Sequence, residues 1–137
     1  LNYQLHGEWT LPYHVVNIFL HVLASVLVYV LVHKMQASSS IPSHSVWDEA
    51  TVAASVFAVH PVHTEAVANI SGRAELLMSV FVLMALLYYH RSLQRDVFNS
   101  RSIAIFSTLV VLAVFSKEQG ITVLVSSTAL QSSLQIK

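Results

Sequence analysis

The sequence predicts an all-α membrane protein with four to five transmembrane helices. Of its 137 residues, 55% are hydrophobic and 10% are charged, and the mean hydropathy is +0.63. Soluble domains carry about 25% charged residues. So few charged side chains cannot cover a surface that faces water on all sides, so part of the surface of this protein must face lipid. The long apolar runs of the sequence are the parts that lipid would contact.

Charge and cysteine content exclude several classes of function. The formal net charge is zero, so nothing indicates the basic surface of a nucleic-acid-binding protein. The absence of cysteine excludes disulfides and thiolate metal sites within the sequence. The first residue is Leu1, and no signal-peptide pattern follows it. We therefore expect the chain to be an internal piece of a longer protein.

Residues 1–14 are predicted to approach the first span along the membrane surface, because their aromatic side chains favour the boundary between lipid and water. These side chains are Tyr3, Trp9 and Tyr13. The first span is predicted at residues 15–33, near the roughly 20 residues that a helix needs to cross the hydrocarbon. Its Asn17 and His21 stand one turn apart, and we expect them to hydrogen-bond to a neighbouring helix. A polar, Ser-rich loop should follow from His33 onward.

The second span is predicted at residues 50–68, with a break or kink at Pro61, because proline lacks a backbone N–H and disfavours helix at the preceding residue. His60 and His63 flank this proline, and Glu65 follows. Two histidines three residues apart can share a helix face, which leaves a metal pair open. The His-Glu-x-x-His pattern of zinc proteases is missing here, however. We expect no metal, and interpret both histidines as substrate-lining or as partners of the loop backbone.

The third span is predicted at residues 70–90, with Arg73 and Glu75 at its start. Two interpretations stay open for these residues. They are either a charge pair at the membrane surface or a site in which the Arg73 guanidinium holds an anionic head group, since guanidinium pairs with phosphate through two parallel hydrogen bonds.

The fourth span is predicted at residues 102–116, and it meets Lys117, Glu118 and then Gly120. Gly120 is a candidate helix stop. An adjacent Lys and Glu between two apolar runs are costly at membrane depth unless they pair or serve a site. The apolar run that follows either begins a fifth span over residues 121–137 or passes into a Ser- and Gln-rich tail. No tetratricopeptide repeat is visible in the sequence.

Alternation of the four spans divides the charged residues between two membrane faces. One face carries a set of basic residues, namely Lys34, Arg91, Arg95 and Arg101, and the positive-inside rule puts it in the cytosol. The opposite face carries ionisable groups from three helix ends. These are His60, His63, Glu65, Arg73, Glu75, Lys117 and Glu118. Because such groups usually line a cavity or pair with one another, the sequence predicts a polar site on the non-cytosolic side.

Three linked motifs resemble the transmembrane and tetratricopeptide-repeat O-mannosyltransferase family. They run from Phe57 to Val67, from Gly72 to Leu77 and from Phe115 to Thr122. The segment from Tyr13 to His21 is also similar to the second span of that family. The resemblance covers roughly residues 1–125, with the motifs in the family's order and spacing.

The resemblance implies a C-type glycosyltransferase fold in a multi-pass protein of the endoplasmic reticulum membrane. It implies transfer of mannose from dolichyl phosphate mannose to Ser or Thr of secretory-pathway proteins such as cadherins, at a lumenal site. Residues 1–14 would then be a lumenal or interfacial approach to the first span. Family members carry tetratricopeptide repeats after the membrane region, and these are absent here. The acidic catalytic motif is expected upstream of this sequence, so no catalytic residue is assigned within it.

Residue roles follow as expectations from that chemistry. A phosphate leaving group needs cations more than it needs a general acid, and Arg73 and Lys117 are the candidates for binding it. Five residues are expected to support them by orienting the cations or lining the sugar pocket: His60, His63, Glu65, Glu75 and Glu118. We expect no metal and no cofactor, the lipid-linked sugar being a substrate.

Other classes of membrane protein remain open on the sequence. A multi-span transporter would place ionisable groups near the bilayer midplane and often shows repeated halves, whereas here the charges gather at helix ends and no repeat is visible. An intramembrane metalloprotease would need bound zinc. A structural membrane subunit should tolerate the loss of the charges on Arg73 and Lys117.

Overall fold

The computed structural model describes residues 11–37, 48–69, 72–95 and 99–135, and these ranges contain helices and no strand. Six α-helices follow one another: α1 Leu11–Ala37, α2 Glu49–Val59, α3 Val62–Ala68, α4 Arg73–Gln94, α5 Ser100–Ser116 and α6 Thr122–Gln135. A short 3-10 turn, Glu118–Ile121, joins α5 to α6. The predicted all-α class is therefore confirmed. The chain forms two compact units, Leu1–Leu76 and Leu77–Lys137, which are treated separately below.

Within the part of the chain that the structure describes, two helices are long and apolar enough to cross a membrane, His14–Ala37 within α1 and Arg73–Gln94, which is α4. The window in α1 has a mean hydropathy of 2.5, and only 11% of it is buried within the chain. Phe19, for example, is 65% exposed. Large apolar side chains exposed along a helix of this length indicate contact with lipid, and hence an association with the membrane.

The ends of α1 differ from the prediction. The helix begins at Leu11, inside the predicted interfacial approach, and continues to Ala37, beyond the predicted end of the span at residue 33. The length of the apolar run predicts only the part of the helix that lies in hydrocarbon, so it places the polar residues of the last turn in the loop. A helix that leaves the membrane can continue into the polar layer, and α1 does so. Tyr3, Trp9 and the side chain of Tyr13 lie outside the described residues, as do residues 38–45 of the loop predicted over residues 33–45.

The predicted second span is two helices rather than one. Asp48 caps α2, and its carboxylate accepts a hydrogen bond from the Ala50 N–H at 3.4 Å. The helix then ends at Val59, and His60 is extended, with φ −64° and ψ 128°. The break expected at Pro61 is thus confirmed, and the span over residues 50–68 stays a prediction. The 11 residues of α2 rise about 17 Å, well short of a hydrocarbon core of about 30 Å.

In the first unit, α1 packs against both α2 and α3. Alanines lie at the contact: Ala24 of α1 and Ala50 of α2 are both fully buried. Small side chains let two helix backbones approach closely, which is how membrane helices gain packing energy without a hydrophobic driving force between them. This contact explains why residues 50–58 are rich in small side chains.

Helix α4 begins at Arg73 rather than at residue 70 and continues to Gln94, so Arg91 lies in its last turn and not in a loop. Ile70 and Ser71 lie outside the described residues. A basic residue near a helix C-terminus is favourable because it faces the negative end of the helix dipole. The start of the predicted span was set by apolar character, whereas the helix starts at the charged residue that follows Gly72.

In the second unit, Asn99 caps α5 by accepting a hydrogen bond from the Ser102 N–H at 3.0 Å. The helix ends at Ser116, and Lys117 is extended. The prediction that Gly120 is the helix stop is wrong, because the chain has left the helix three residues earlier. Gly120 serves a different purpose: a Cβ atom there would lie 2.5 Å from the carbonyl carbon and oxygen of Ala113. Only glycine lets the 3-10 turn approach α5 this closely.

The Ser- and Gln-rich tail is helical as far as Gln135. Val123 and Leu130 of α6 are buried, and the Tyr89 hydroxyl donates to Oε1 of Gln131 at 2.8 Å. Helix α6 has 14 residues and α5 has 17, so both fall below the length of a full span. The fourth span at 102–116 and the fifth at 121–137 consequently stay predictions.

Candidate functional site

The candidate site lies in the first unit, where the break between α2 and α3 and the start of α4 meet the first turns of α1. The break itself follows from Pro61. Since proline has no N–H to donate to the Phe57 carbonyl, the His60 N–H donates to it instead, at 3.4 Å. The Val62 N–H, which would bond to Ala58 in an unbroken helix, donates to Nδ1 of His60 at 3.2 Å.

His21 of α1 completes this arrangement. The Ala58 carbonyl has lost its helical donor, and Nε2 of His21 lies 3.0 Å from its oxygen. A carbonyl only accepts, so this nitrogen carries the hydrogen and donates. A helix that is broken within packed structure needs such partners for its last carbonyls. The histidine therefore fixes α1 to the broken end of α2.

An aromatic cluster surrounds the break. The ring of His63 lies 5.1 Å from that of His21 and 4.3 Å from that of Phe57, centroid to centroid. The His60 ring is 6.2 Å away and meets it edge-on. His63 lies outside the two helices of spanning length. Burial, followed by the neighbouring His21 and His60, lowers the pKa of His63 below 6.5. Its imidazole is therefore held neutral, which allows it both to donate and to accept a hydrogen bond.

The cluster does not have the arrangement of a metal centre. Nδ1 of His60 and Nε2 of His21 both bond to the backbone. Within the described ranges, no group of three or more His, Asp or Glu residues is placed to hold a metal ion. The imidazoles and backbone groups of the cluster instead suit a neutral polar ligand, because they offer hydrogen bonds without a strong charge.

A pocket of about 460 Å³ opens beside the cluster. Its lining combines imidazoles with small and apolar side chains: His21, Ala58, Val59, His60, His63, Thr64, Val67 and Ala68. A second open groove, of about 660 Å³, continues between α1 and α2 and shares His21 and Ala58 with the first. That groove is mainly apolar and reaches Tyr29. The site thus has a polar end at the helix break and an apolar extension along two helices.

Arg73 stands at the other side of the site, tied to α1 through Asn17. The fully buried Asn17 donates from Nδ2 to the carbonyls of Val67 and Asn69, at 3.3 Å and 3.0 Å. Nε of Arg73 lies 3.5 Å from Oδ1 of the same amide. The guanidinium is half-buried at the first residue of α4. Its charge is favourable for an anion and is held in place by a neutral partner.

The structure brings some of the predicted site residues together. His60 and His63 line one pocket. Glu65 of α3 and Glu75 in the first turn of α4 are both exposed. Lys117 and Glu118 lie in the second unit, Lys117 as the extended residue after α5 and Glu118 exposed in the 3-10 turn. That these two residues share a site with Arg73 stays a prediction.

Sequence reasoning missed the part that Asn17 and His21 play in the site. Their predicted role as hydrogen-bond partners between helices is confirmed. The sequence did not predict their partners, which are the Ala58 carbonyl at the helix break for His21 and Arg73 for Asn17. The available signal was their spacing of one turn on an otherwise apolar helix, combined with their position inside the segment that resembles the family.

Comparison with known proteins gives relatives that share the name protein O-mannosyl-transferase. The chain is 46% identical over 121 residues to Protein O-mannosyl-transferase F38B6.6 of Caenorhabditis elegans, covering 88% of this chain and 16% of that protein. It is 41% identical over 126 residues to Protein O-mannosyl-transferase TMTC3 of Homo sapiens, covering 90% and 13%. It is 39% identical over 124 residues to Protein O-mannosyl-transferase Tmtc1 of Drosophila melanogaster, covering 90% and 13%.

The chain therefore spans 13–16% of the length of these relatives. No family model and no solved structure matches it. The alignments cover about nine-tenths of this chain, and the relatives come from a nematode, a human and a fly. The resemblance inferred from the motifs is confirmed: the chain is similar to a segment of proteins named protein O-mannosyl-transferases.

Proposed function

We propose that this chain is part of a membrane-embedded O-mannosyltransferase that transfers mannose from dolichyl phosphate mannose to Ser or Thr hydroxyls of proteins. The names of its relatives support mannosyl transfer to protein. The observation that carries the proposal is the half-buried Arg73, held by Asn17 at the start of a helix of spanning length. A fixed cation at this position suits the phosphate of a lipid-linked sugar.

The reaction requires little chemistry from this segment. The acceptor hydroxyl oxygen forms a bond to C1 of mannose, the bond between C1 and the phosphate oxygen breaks, and dolichyl phosphate leaves with the electron pair. The hydroxyl proton passes to a general base, since Ser and Thr hydroxyls are weak nucleophiles. We assign that base to no residue of this chain. Charge grows on the phosphate as the bond breaks, so a fixed guanidinium stabilises the transition state more than the bound substrate.

The remaining residues have roles consistent with their positions. His60 and His63 line the pocket and would offer hydrogen bonds to sugar hydroxyls, which a neutral imidazole both accepts and donates. The apolar groove that continues from this pocket suits the first part of a prenyl chain. Lys117 is proposed as a second cation for the phosphate, with Glu65, Glu75 and Glu118 in supporting positions.

The wider setting is part of the same proposal. It is a multi-pass protein of the endoplasmic reticulum membrane with a C-type glycosyltransferase fold, four to five spans and a lumenal site. Its acceptors are secretory proteins such as those with cadherin-type domains. The support within this chain comes from two helices of spanning length, α1 and α4, and from the positions of His60, His63 and Arg73 at the ends of helices.

The test is mannosyl transfer by the full-length enzyme carrying Arg73→Gln. We expect a loss of about 100-fold in kcat/KM, the size seen when one group that stabilises a developing oxyanion is removed. Arg101→Gln is the matched control, because Arg101 is an exposed arginine in the first turn of α5. Equal transfer by both variants would overturn the phosphate role and would favour a structural membrane subunit.

A further inference from the structure

We propose that Asn17 is a positioning residue for the transfer reaction, fixing the plane of the Arg73 guanidinium from the neighbouring helix. The proposal rests on the function proposed for Arg73 as the group that binds the donor phosphate. Asn17 lies 56 positions away from Arg73 in sequence, and its Oδ1 is 3.5 Å from Nε of Arg73.

The orientation of the Asn17 amide is determined by its other contacts. Its Nδ2 lies within hydrogen-bond distance of two backbone carbonyls, those of Val67 and Asn69, at 3.3 Å and 3.0 Å. Carbonyls only accept, so the nitrogen and not the oxygen of the amide must face them. The oxygen is then left pointing at Arg73. Because Asn17 is 0% exposed, water cannot replace either set of contacts.

The same side chain also secures the end of α3. The helix ends at Ala68 with Asn69 as its C-cap, where a helix leaves its last carbonyls without helical donors. The Asn17 amide donates to the Val67 carbonyl and also to the Asn69 carbonyl, which accepts from the Gly72 N–H as well, at 3.1 Å. Arg73 opens α4 only four residues after Asn69. One buried amide on α1 therefore fixes both the end of one helix and the first side chain of the next.

A neutral amide is the suitable group for this task. Hydrogen bonding to Nε sets the plane of the guanidinium, and that plane determines where a phosphate can make two parallel hydrogen bonds. A carboxylate at the same place would pair with the guanidinium and offset its charge, so the attraction for a phosphate would fall. The amide orients the cation without placing a negative charge beside it.

The experiment measures KM for dolichyl phosphate mannose and kcat in the full-length enzyme, normalised to folded protein. We expect Asn17→Leu, of similar volume, to lower kcat/KM by about tenfold through a higher donor KM. Asn17→Asp should raise the donor KM as well, because its charge pairs with Arg73. Thr108→Ala is the control, since the exposed Thr108 hydroxyl bonds to the Ala104 carbonyl of its own helix α5 at 2.8 Å, and it should leave the donor KM unchanged.

A double-variant cycle separates positioning from a general effect on the fold. If Asn17 acts through Arg73, then Asn17→Leu should cost little further kcat/KM once Arg73→Gln is present. Fully additive losses would overturn the proposal. An unchanged donor KM in both Asn17 variants, with a raised donor KM in Arg73→Gln, would also overturn it and leave the proposed function standing. An unchanged kcat/KM in Arg73→Gln would instead overturn the proposed function.

A measurement on the unmodified enzyme covers the case in which neither Asn17 variant folds. The Nε–H of Arg73 should exchange with solvent more slowly than that of the exposed Arg101, because it is hydrogen-bonded to a buried oxygen. Slower exchange supports the contact, and equal exchange of the two groups would overturn it.

Discussion

The imidazole Nε2 of His21 lies 3.0 Å from the backbone carbonyl oxygen of Ala58. This contact joins two features that are far apart in sequence. Pro61 interrupts the helix, the Val62 N–H turns to His60, and the Ala58 carbonyl is left for a partner on another helix. The sequence pattern that looks like a ligand motif, His-Pro-Val-His, is therefore also the way in which a broken helix satisfies its backbone.

Replacement of His21 by Phe should destabilise the first unit by about 1 kcal/mol, the typical net value of one intramolecular hydrogen bond. The new ring keeps the contacts with Phe57 and His63, but the Ala58 carbonyl loses the donor that ties it to α1. Thermal unfolding of the full-length protein in detergent would measure the change. Ser25→Ala on the same helix should have a smaller effect, and equal effects of the two substitutions would contradict the assigned role of His21.

One half of this contact, the broken helix, could be predicted from the sequence, whereas the other half, its partner on α1, could not. The break at Pro61 follows from local chemistry, because a missing N–H is visible in the sequence. The partner of the Ala58 carbonyl is not, since it depends on which face of α1 meets α2. Asn17 and His21 were correctly interpreted as contacts between helices, and their targets became known only from the packing.

The ends of the helices were harder to predict than their positions. The apolar runs located the helices, but charged residues at their ends, such as Lys34 and Arg91, are helical as well. The length of an apolar run indicates how much of a helix lies in lipid, whereas the helix itself continues as far as its backbone hydrogen bonds. The sequence leaves two alternatives for the stretch after Ser126, part of a fifth span or a polar tail, and in the structure it is helical to Gln135 and buries Leu130. Tertiary contacts outweigh weak local preference in such a segment.

Gly120→Ala should destabilise the second unit by about 1–3 kcal/mol, the range for forcing extra volume into a packed contact. The added Cβ would lie 2.5 Å from the Ala113 carbonyl group, so the 3-10 turn must move away from α5. Chemical denaturation of the full-length protein would detect the loss. Since the clash is with backbone atoms, the added change Ala113→Gly should not restore stability. Recovery in the double variant would show that side-chain crowding, and not backbone approach, requires the glycine.

Tyr89→Phe should lower stability by about 1 kcal/mol, the typical value of one intramolecular hydrogen bond. Its hydroxyl donates to Oε1 of Gln131 at 2.8 Å, which ties α6 to α4 within the second unit. Tyr88→Phe is the matched control, because the neighbouring hydroxyl takes no part in this contact. Limited proteolysis should cut α6 faster in the Tyr89 variant than in the control. Identical cleavage would mean that this hydrogen bond does not hold the helix.

The central claim is that the guanidinium of Arg73 binds the phosphate of the lipid donor. The most direct test is equilibrium binding of dolichyl phosphate, with uncharged dolichol as the reference ligand, to the full-length enzyme and to its Arg73→Gln and Arg101→Gln variants. The account predicts a preference for the phosphorylated lipid that falls about tenfold or more in Arg73→Gln and is unchanged in Arg101→Gln. An undiminished preference in Arg73→Gln would contradict it.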